Sequence, residues 1–152
     1  MASVATVIHC EPSATPGLRH RVPAQLLGGS TSIHEGLLGP KELVPPHTHA
    51  NEDQCLYVVS GTVHLEIGEE LIEARMGSYV IKPKGLSHAF WNPATTPALV
   101  LEITTPGGFE SFYDEMAAVR SPAEALAIQS MYGMTFHSER VPELIERHGL
   151  QL

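Results

Sequence analysis

A chain of 152 residues with 43% hydrophobic side chains is long enough to bury a core without disulfide or metal staples, so one domain is expected. Its formal charge is −8 with histidines neutral, and no basic run exists, which excludes a surface built to neutralise nucleic-acid phosphates. No apolar run approaches membrane-spanning length, and "MASVATVIHC" lacks the basic and long apolar regions of a secretory leader, so no membrane partner and a cytoplasmic location are expected.

In chain order, SVATVIH (3–9) and STSIHEGLL (30–38) read as strands on either side of the Gly28-Gly29 break. Cys10 and Cys55 form no CxxC pair and read as reduced thiols. QCLYVVSGTVHLEI (54–67) reads as two strands hinged near Ser60-Gly61, followed by a hairpin turn at GEE (68–70) and a return strand LIEA (71–74). SYVIKP (78–83), SHAFWN (87–92) and PALVLEIT (97–104) follow, separated by Pro, Gly and Asn. Many short strands without intervening helices indicate an all-β antiparallel sandwich or barrel.

The pattern changes after TTPGG (104–108). Phe109, Phe112, Tyr113 and Met116 recur at helical spacing, as a stripe packing a helix on the barrel. SPAEALAIQSMYG offers Ser121 as N-cap, Pro122 at N1, Glu124 at N3 and Gly133 as terminator, and PELIERHG (142–149) is a third short helix. The expected organisation is a barrel over residues 1–108 with a helical C-terminal tail over 109–152, packed on it within the same domain.

The chemistry-bearing residues lie in two stretches. Side chains of equal parity share a strand face, so His47 and His49 share one, and Gln54, Leu56 and Val58 join it if the chain stays extended. In GSYVIKPKGLSHAFWN (77–92) a tight turn at Pro83 and Gly85 leads into a strand with His88, Phe90 and Asn92 on one face. Three imidazoles and an amide converging inside a barrel suit one divalent first-row ion such as Zn, Mn, Fe, Co or Ni. An HxH pair alone is a weak signal; it is the second stretch that strengthens it. His64 shares its face with Thr62 and Glu66 and reads as a strand residue outside the site, and His9, His20, His34, His137 and His148 have no ligand spacing. Asn92 reads as tightening the turn after its strand. Cys55, Tyr57 and Val59 point away from the metal face and are expected to be buried in a symmetric homodimer.

The two stretches resemble the paired motifs of the cupin superfamily. Gly39, His47, His49, Gln54 and Gly61 stand at the first motif's positions, with the segment after Gly39 slightly long. Gly77, Pro83, Gly85, His88 and Asn92 match every fixed position of the second, and fifteen residues separate Gly61 from Gly77, as in single-domain cupins. The segment through PGGFESFYDEM is similar to the tail of quercetin-dioxygenase-like cupins. The resemblance implies a small cupin-type β-barrel (a double-stranded β-helix, or jelly roll) with C-terminal α-helices, and a metal held by His47, His49, Gln54 and His88. It implies an enzyme on a small oxygen-rich substrate, by dioxygenase chemistry or, without O₂, by lyase, isomerase or cyclase chemistry; a non-catalytic metal or small-molecule binder is the other class. Gln54 stands where the family usually has glutamate. A neutral amide raises the ion's Lewis acidity and disfavours a higher oxidation state, which weakens the oxygenase expectation. Glu52 is the carboxylate nearest the site in sequence and the candidate general base.

Overall fold

The structure is a computed structural model that describes residues 5–11 and 14–152. Among these, ten strands form two five-stranded sheets, ordered β1-β2-β9-β4-β7 and β10-β3-β8-β5-β6. The strands are β1 Gly17–Val22, β2 Ser32–Leu38, β3 Leu43–His49, β4 Asp53–Ser60, β5 Thr62–Ile67, β6 Glu70–Arg75, β7 Tyr79–Lys82, β8 His88–Trp91, β9 Ala98–Thr105 and β10 Met134–Phe136. All of the pairings between them are antiparallel, as the strand pattern implies, and the two sheets form the jelly roll that the resemblance implies.

Alternation decides what the two inner faces bury. Leu56 and Val58 of β4, Val63, Leu65 and Ile67 of β5, and Ala98 and Val100 of β9 turn inward and join Leu38, Ala74, Val80 and Phe90 in one core cluster. Thr62, His64 and Glu66 occupy the outer positions of β5, as their parity requires. The hinge between β4 and β5 needs Gly61. Its φ is 81°, and a Cβ there would lie 3.0 Å from the Ala98 Cβ and 3.1 Å from its Cα, so any side chain is both strained and crowded.

Three features differ from the sequence reading. The expected strand at 3–9 is not formed: residues 3 and 4 lie outside the described residues, and 5–9 are exposed without regular structure. The edge partner of β2 is instead β1, in register from Gly17↔Leu37 to Val22↔Ile33. Second, β3 runs through Pro45-Pro46. Proline cannot donate to a ladder, and the β3–β8 register shifts between Val44 and His47, a bulge that accommodates both prolines. Third, the helical tail returns a strand: β10 pairs with β3, with Met134 opposite His49 and Phe136 opposite His47.

The tail helices are α1 Glu110–Ala117, α2 Pro122–Met131 and α3 Val141–His148. The α1 helix is anchored by Glu110, whose carboxylate accepts the N–H groups of Ala24 and Gly108, each at 2.8 Å. At α2 the Ser121 hydroxyl accepts the Glu124 N–H, and the Glu124 carboxylate accepts the Arg120 N–H, a reciprocal cap shifted by one residue from the usual form. The α3 helix stops at Gly149, in the left-handed conformation, and packs Leu144 with Leu43, Ala89 and Trp91 on the outside of the second sheet. Phe109, Phe112 and Met134, with Tyr113 and Met116 against them, form a separate apolar cluster.

Candidate metal centre

β3 and β8 bring the three motif histidines together. The register pairs His47 directly with His88, and their rings lie 4.4 Å apart between centroids. His49, two residues on along the same face, has its ring 5.2 Å from that of His47 and 5.6 Å from that of His88. One nitrogen from each of the three rings lies within 4.8 Å of the other two, and all three side chains are buried.

Each ring is already held at Nδ1. His47 Nδ1 donates to the Pro45 carbonyl at 2.7 Å, His88 Nδ1 to the Leu86 carbonyl at 3.2 Å, and His49 Nδ1 meets Glu52 Oε2 at 3.3 Å. These contacts fix ring orientation and tautomer and leave Nε2 as the free donor of each imidazole. His88 Nε2 is buried without a hydrogen-bond partner. Burial, reinforced by the Lys82 ammonium, lowers the His47 pKa to about 4; burial with repulsion from His47 and Lys82 lowers His49 to about 3, and burial with Lys82 and the other two imidazoles pushes His88 down further. All three are therefore neutral at physiological pH, the protonation state a metal requires.

Gln54 lies on β4 of the opposite sheet, buried and facing the same interior. Its Nε2 donates to Thr104 Oγ1 at 3.2 Å, which sets the amide orientation and leaves Oε1 buried with no partner. The donor set fits a divalent transition ion: three neutral nitrogens and an orphaned amide oxygen, in a buried interior. Asn92 binds backbone, with Nδ2 donating to the Gly39 and Thr96 carbonyls and Oδ1 accepting the Ala94 N–H, so it tightens its turn. Glu52 is buried against His49 and is absent from the walls of the adjoining cavity.

That cavity, of about 220 Å³, opens beside His47 and Gln54. Most of its wall is apolar, from Leu18, Val44, Phe90, Phe112, Met134 and Phe136. Phe112 and Tyr113 thus serve both helix packing and the cavity wall. Two charged residues that the sequence reading missed also line it: Lys82 of β7 and Glu102 of β9, a buried ion pair with Nζ 2.9 and 2.8 Å from the two carboxylate oxygens. Strand parity held the signal, since Lys82 shares a face with Val80 and Glu102 with Val100. A second missed feature is His34, only 1% exposed, whose ring nitrogens both lack hydrogen-bond partners and whose ring stacks edge-on against His20 and Tyr113.

Residues 35–104 match the family model described as "Cupin domain". No curated protein sequence matches the chain. Similar solved structures include KdgF from Halomonas sp., 18% identical with a TM-score of 0.59, covering 71% of this chain and 99% of that one. An RmlC-like cupin family protein with a double-stranded β-helix fold, from Methanocaldococcus jannaschii, is 16% identical with a TM-score of 0.59, covering 70% and 94%. A predicted oxalate decarboxylase from Thermotoga maritima is 18% identical with a TM-score of 0.56, covering 59% and 78%. At these identities the likeness is one of fold.

Proposed function

The barrel is that of the cupin superfamily, and from that premise we propose that this chain is a metal-dependent enzyme acting on a small organic molecule through an oxygen of its substrate. The observation that carries the proposal is the trio of buried, neutral imidazoles, each fixed at Nδ1 with Nε2 left free. His47, His49 and His88 would hold the ion, with Gln54 Oε1 as fourth donor. A bound divalent ion would supply Lewis acidity toward a carbonyl, enolate or hydroxyl oxygen, and a redox-active one would add O₂ chemistry.

The protein residues do the rest. Every donor is neutral, so charge balance falls to the substrate, which favours an oxygen that becomes anionic as the reaction proceeds. Isomerase, lyase or cyclase chemistry is therefore our first reading. Dioxygenase chemistry is the second, favoured by the likeness of the Pro106–Met116 segment to quercetin-dioxygenase-like cupins. The apolar walls exclude water and select a compact substrate with an apolar body. Glu52 holds the His49 ring in place, and we assign it that positioning role in preference to general base. We take the 109–152 tail to be part of the same domain, since β10 and α1 complete the cavity wall.

The test is reconstitution with Zn or Fe, followed by turnover and oxygen consumption on a panel of enolisable ketones, hydroxyketones and flavonols. Turnover without oxygen uptake supports the first reading, and uptake the second. No turnover on any member with metal bound would leave a binding protein and overturn the enzymatic proposal.

A further inference from the structure

Buried ion pairs are costly, and well-packed apolar replacements are often neutral or stabilising, so one retained in a cavity wall calls for a reason. Lys82 stands on β7 and Glu102 on β9, with β4 between them in the sheet order. The lysine stem therefore crosses the inner face of β4 to reach its partner, a span of about two strand spacings, roughly 10 Å. In register, Lys82 lies opposite Gln54, so the pair sits beside the amide and His47 in the same cavity. The ammonium also lies over the Phe90 ring, 4.8 Å from its centroid.

Hydrogen-bond capacity is left over. An ammonium has three N–H groups and a carboxylate about four acceptor sites. Nζ makes two bonds, both to Glu102, and among the described residues Glu102 accepts from no other group. The pair is also neutral as a unit. A second carboxylate brought to Lys82 would share its ammonium with Glu102, placing two anions on one cation in a buried site. A neutral hydroxyl meets no such penalty, because it accepts from Lys82 and donates to Glu102 at once.

We propose that Lys82 and Glu102 form a substrate-recognition pair that takes a hydroxyl group adjacent to the oxygen bound at the imidazole cluster. The substrate class is thereby narrowed to compact, largely apolar molecules with two neighbouring oxygens, one a carbonyl or enol and one a neutral hydroxyl, such as α-hydroxyketones. This rests on the reading of the cavity as a substrate pocket. It assigns the pair a specificity role that neither motif carries.

The experiment compares three probes by calorimetry on the zinc-loaded full chain: α-hydroxyacetophenone, acetophenone (which lacks the hydroxyl) and phenylglyoxylate (in which a carboxylate takes the place of the hydroxymethyl group). In the wild type the hydroxyketone should bind about tenfold or more tighter than acetophenone, the effect of one charge-assisted hydrogen-bonded group. The double variant Lys82→Met with Glu102→Leu keeps the volume and removes both charges; there the ratio should fall to about one. In Glu102→Gln the lysine is no longer neutralised, and phenylglyoxylate should gain about tenfold relative to acetophenone. Zinc content and melting temperature are measured on each protein. A wild type with no hydroxyl preference, or the same preference in the folded double variant, would overturn the proposal and assign the pair to holding β7 and β9 together. A protein that binds no zinc would count against the metal reading alone, and the same probe ratios on the metal-free chain would still decide the role of the pair.

Discussion

His88→Ala separates a ligand from a residue that merely fills the barrel, because only a ligand's loss should diminish the effect of added metal. Without metal, the substitution removes a buried imidazole whose Nε2 has no partner, and so relieves an unsatisfied polar group worth about 1–3 kcal/mol. Against that stand the lost Nδ1 bond to the Leu86 carbonyl, about 1 kcal/mol, and the cavity left by the ring. These oppose each other, so the metal-free variant should lie within about 1–2 kcal/mol of wild type. With zinc the proteins should diverge. Free zinc at a thousandfold excess over its dissociation constant stabilises the wild type by about 4 kcal/mol. At roughly 2–4 °C per kcal/mol for a chain of this size, the melting temperature should rise by about 8–16 °C. The variant, short of one donor, should gain only a few degrees. The assay is a thermal melt of both proteins, stripped of metal and then titrated with zinc, alongside elemental analysis. Equal zinc shifts in the two proteins, with equal metal content, would refute the reasoning from the three imidazoles.

Gln54→Glu puts an anion where the orphaned amide oxygen now lies, so zinc affinity should rise about tenfold or more; unchanged affinity would remove Gln54 from the ligand set. Stability of the metal-free protein should fall on acidification. His34 and His47 have folded pKa values of about 4 against about 6.5 when unfolded, so below pH 6.5 the unfolded chain takes up protons that the folded one does not. The loss is absent above pH 6.5 and complete near pH 4, at most about 3 kcal/mol for each such imidazole, and a urea midpoint unchanged between pH 7.5 and 5 would contradict it. Finally, the outer face of the β4–β7 pair carries Cys55 and Tyr57, with Tyr79 and Ile81 exposed at 68% and 61%. A second copy covering this face should give a dimer mass in light scattering at micromolar concentration, and Tyr79→Glu with Ile81→Lys should split it; a wild-type monomer would end that expectation.

The legible parts of the fold were those where one local rule acted alone. The β4 and β5 strands alternate cleanly about Gly61, and the α2 cap and α3 terminator are written in adjacent residues. What escaped depended on partners distant in sequence. GLRHRV is polar and glycine-led, and becomes β1 only because the exposed ladder of β2 accepts it. LVPPHTH breaks the strand rule twice, and holds as β3 because the bulge absorbs the prolines. Three residues at Met134–Phe136 are too short to show a period, and pairing with the histidine strand makes them β10. The imidazole trio could be read from spacing because its three histidines lie within two motifs. The Lys82–Glu102 pair could not, since it joins strands that are not neighbours and belongs to no motif.

The same contrast explains why the site is built where it is. Burying imidazoles is costly when a ring nitrogen goes unpaired, and here the protein satisfies only Nδ1 of each. Two of those three partners are backbone carbonyls two residues upstream, at Pro45 and Leu86, so ring orientation is set by the chain's own path into each strand. The prolines and glycines of the two motifs shape that path: the Pro45-Pro46 bulge before His47, and the Pro83–Gly85 turn before His88. Backbone geometry thus fixes the donors before any ligand arrives. The unsatisfied remainder, His88 Nε2 and Gln54 Oε1, faces one interior from opposite sheets. A ligand that meets both relieves two desolvation costs at once, and a cation is the species to which a neutral imidazole nitrogen and an amide oxygen both donate.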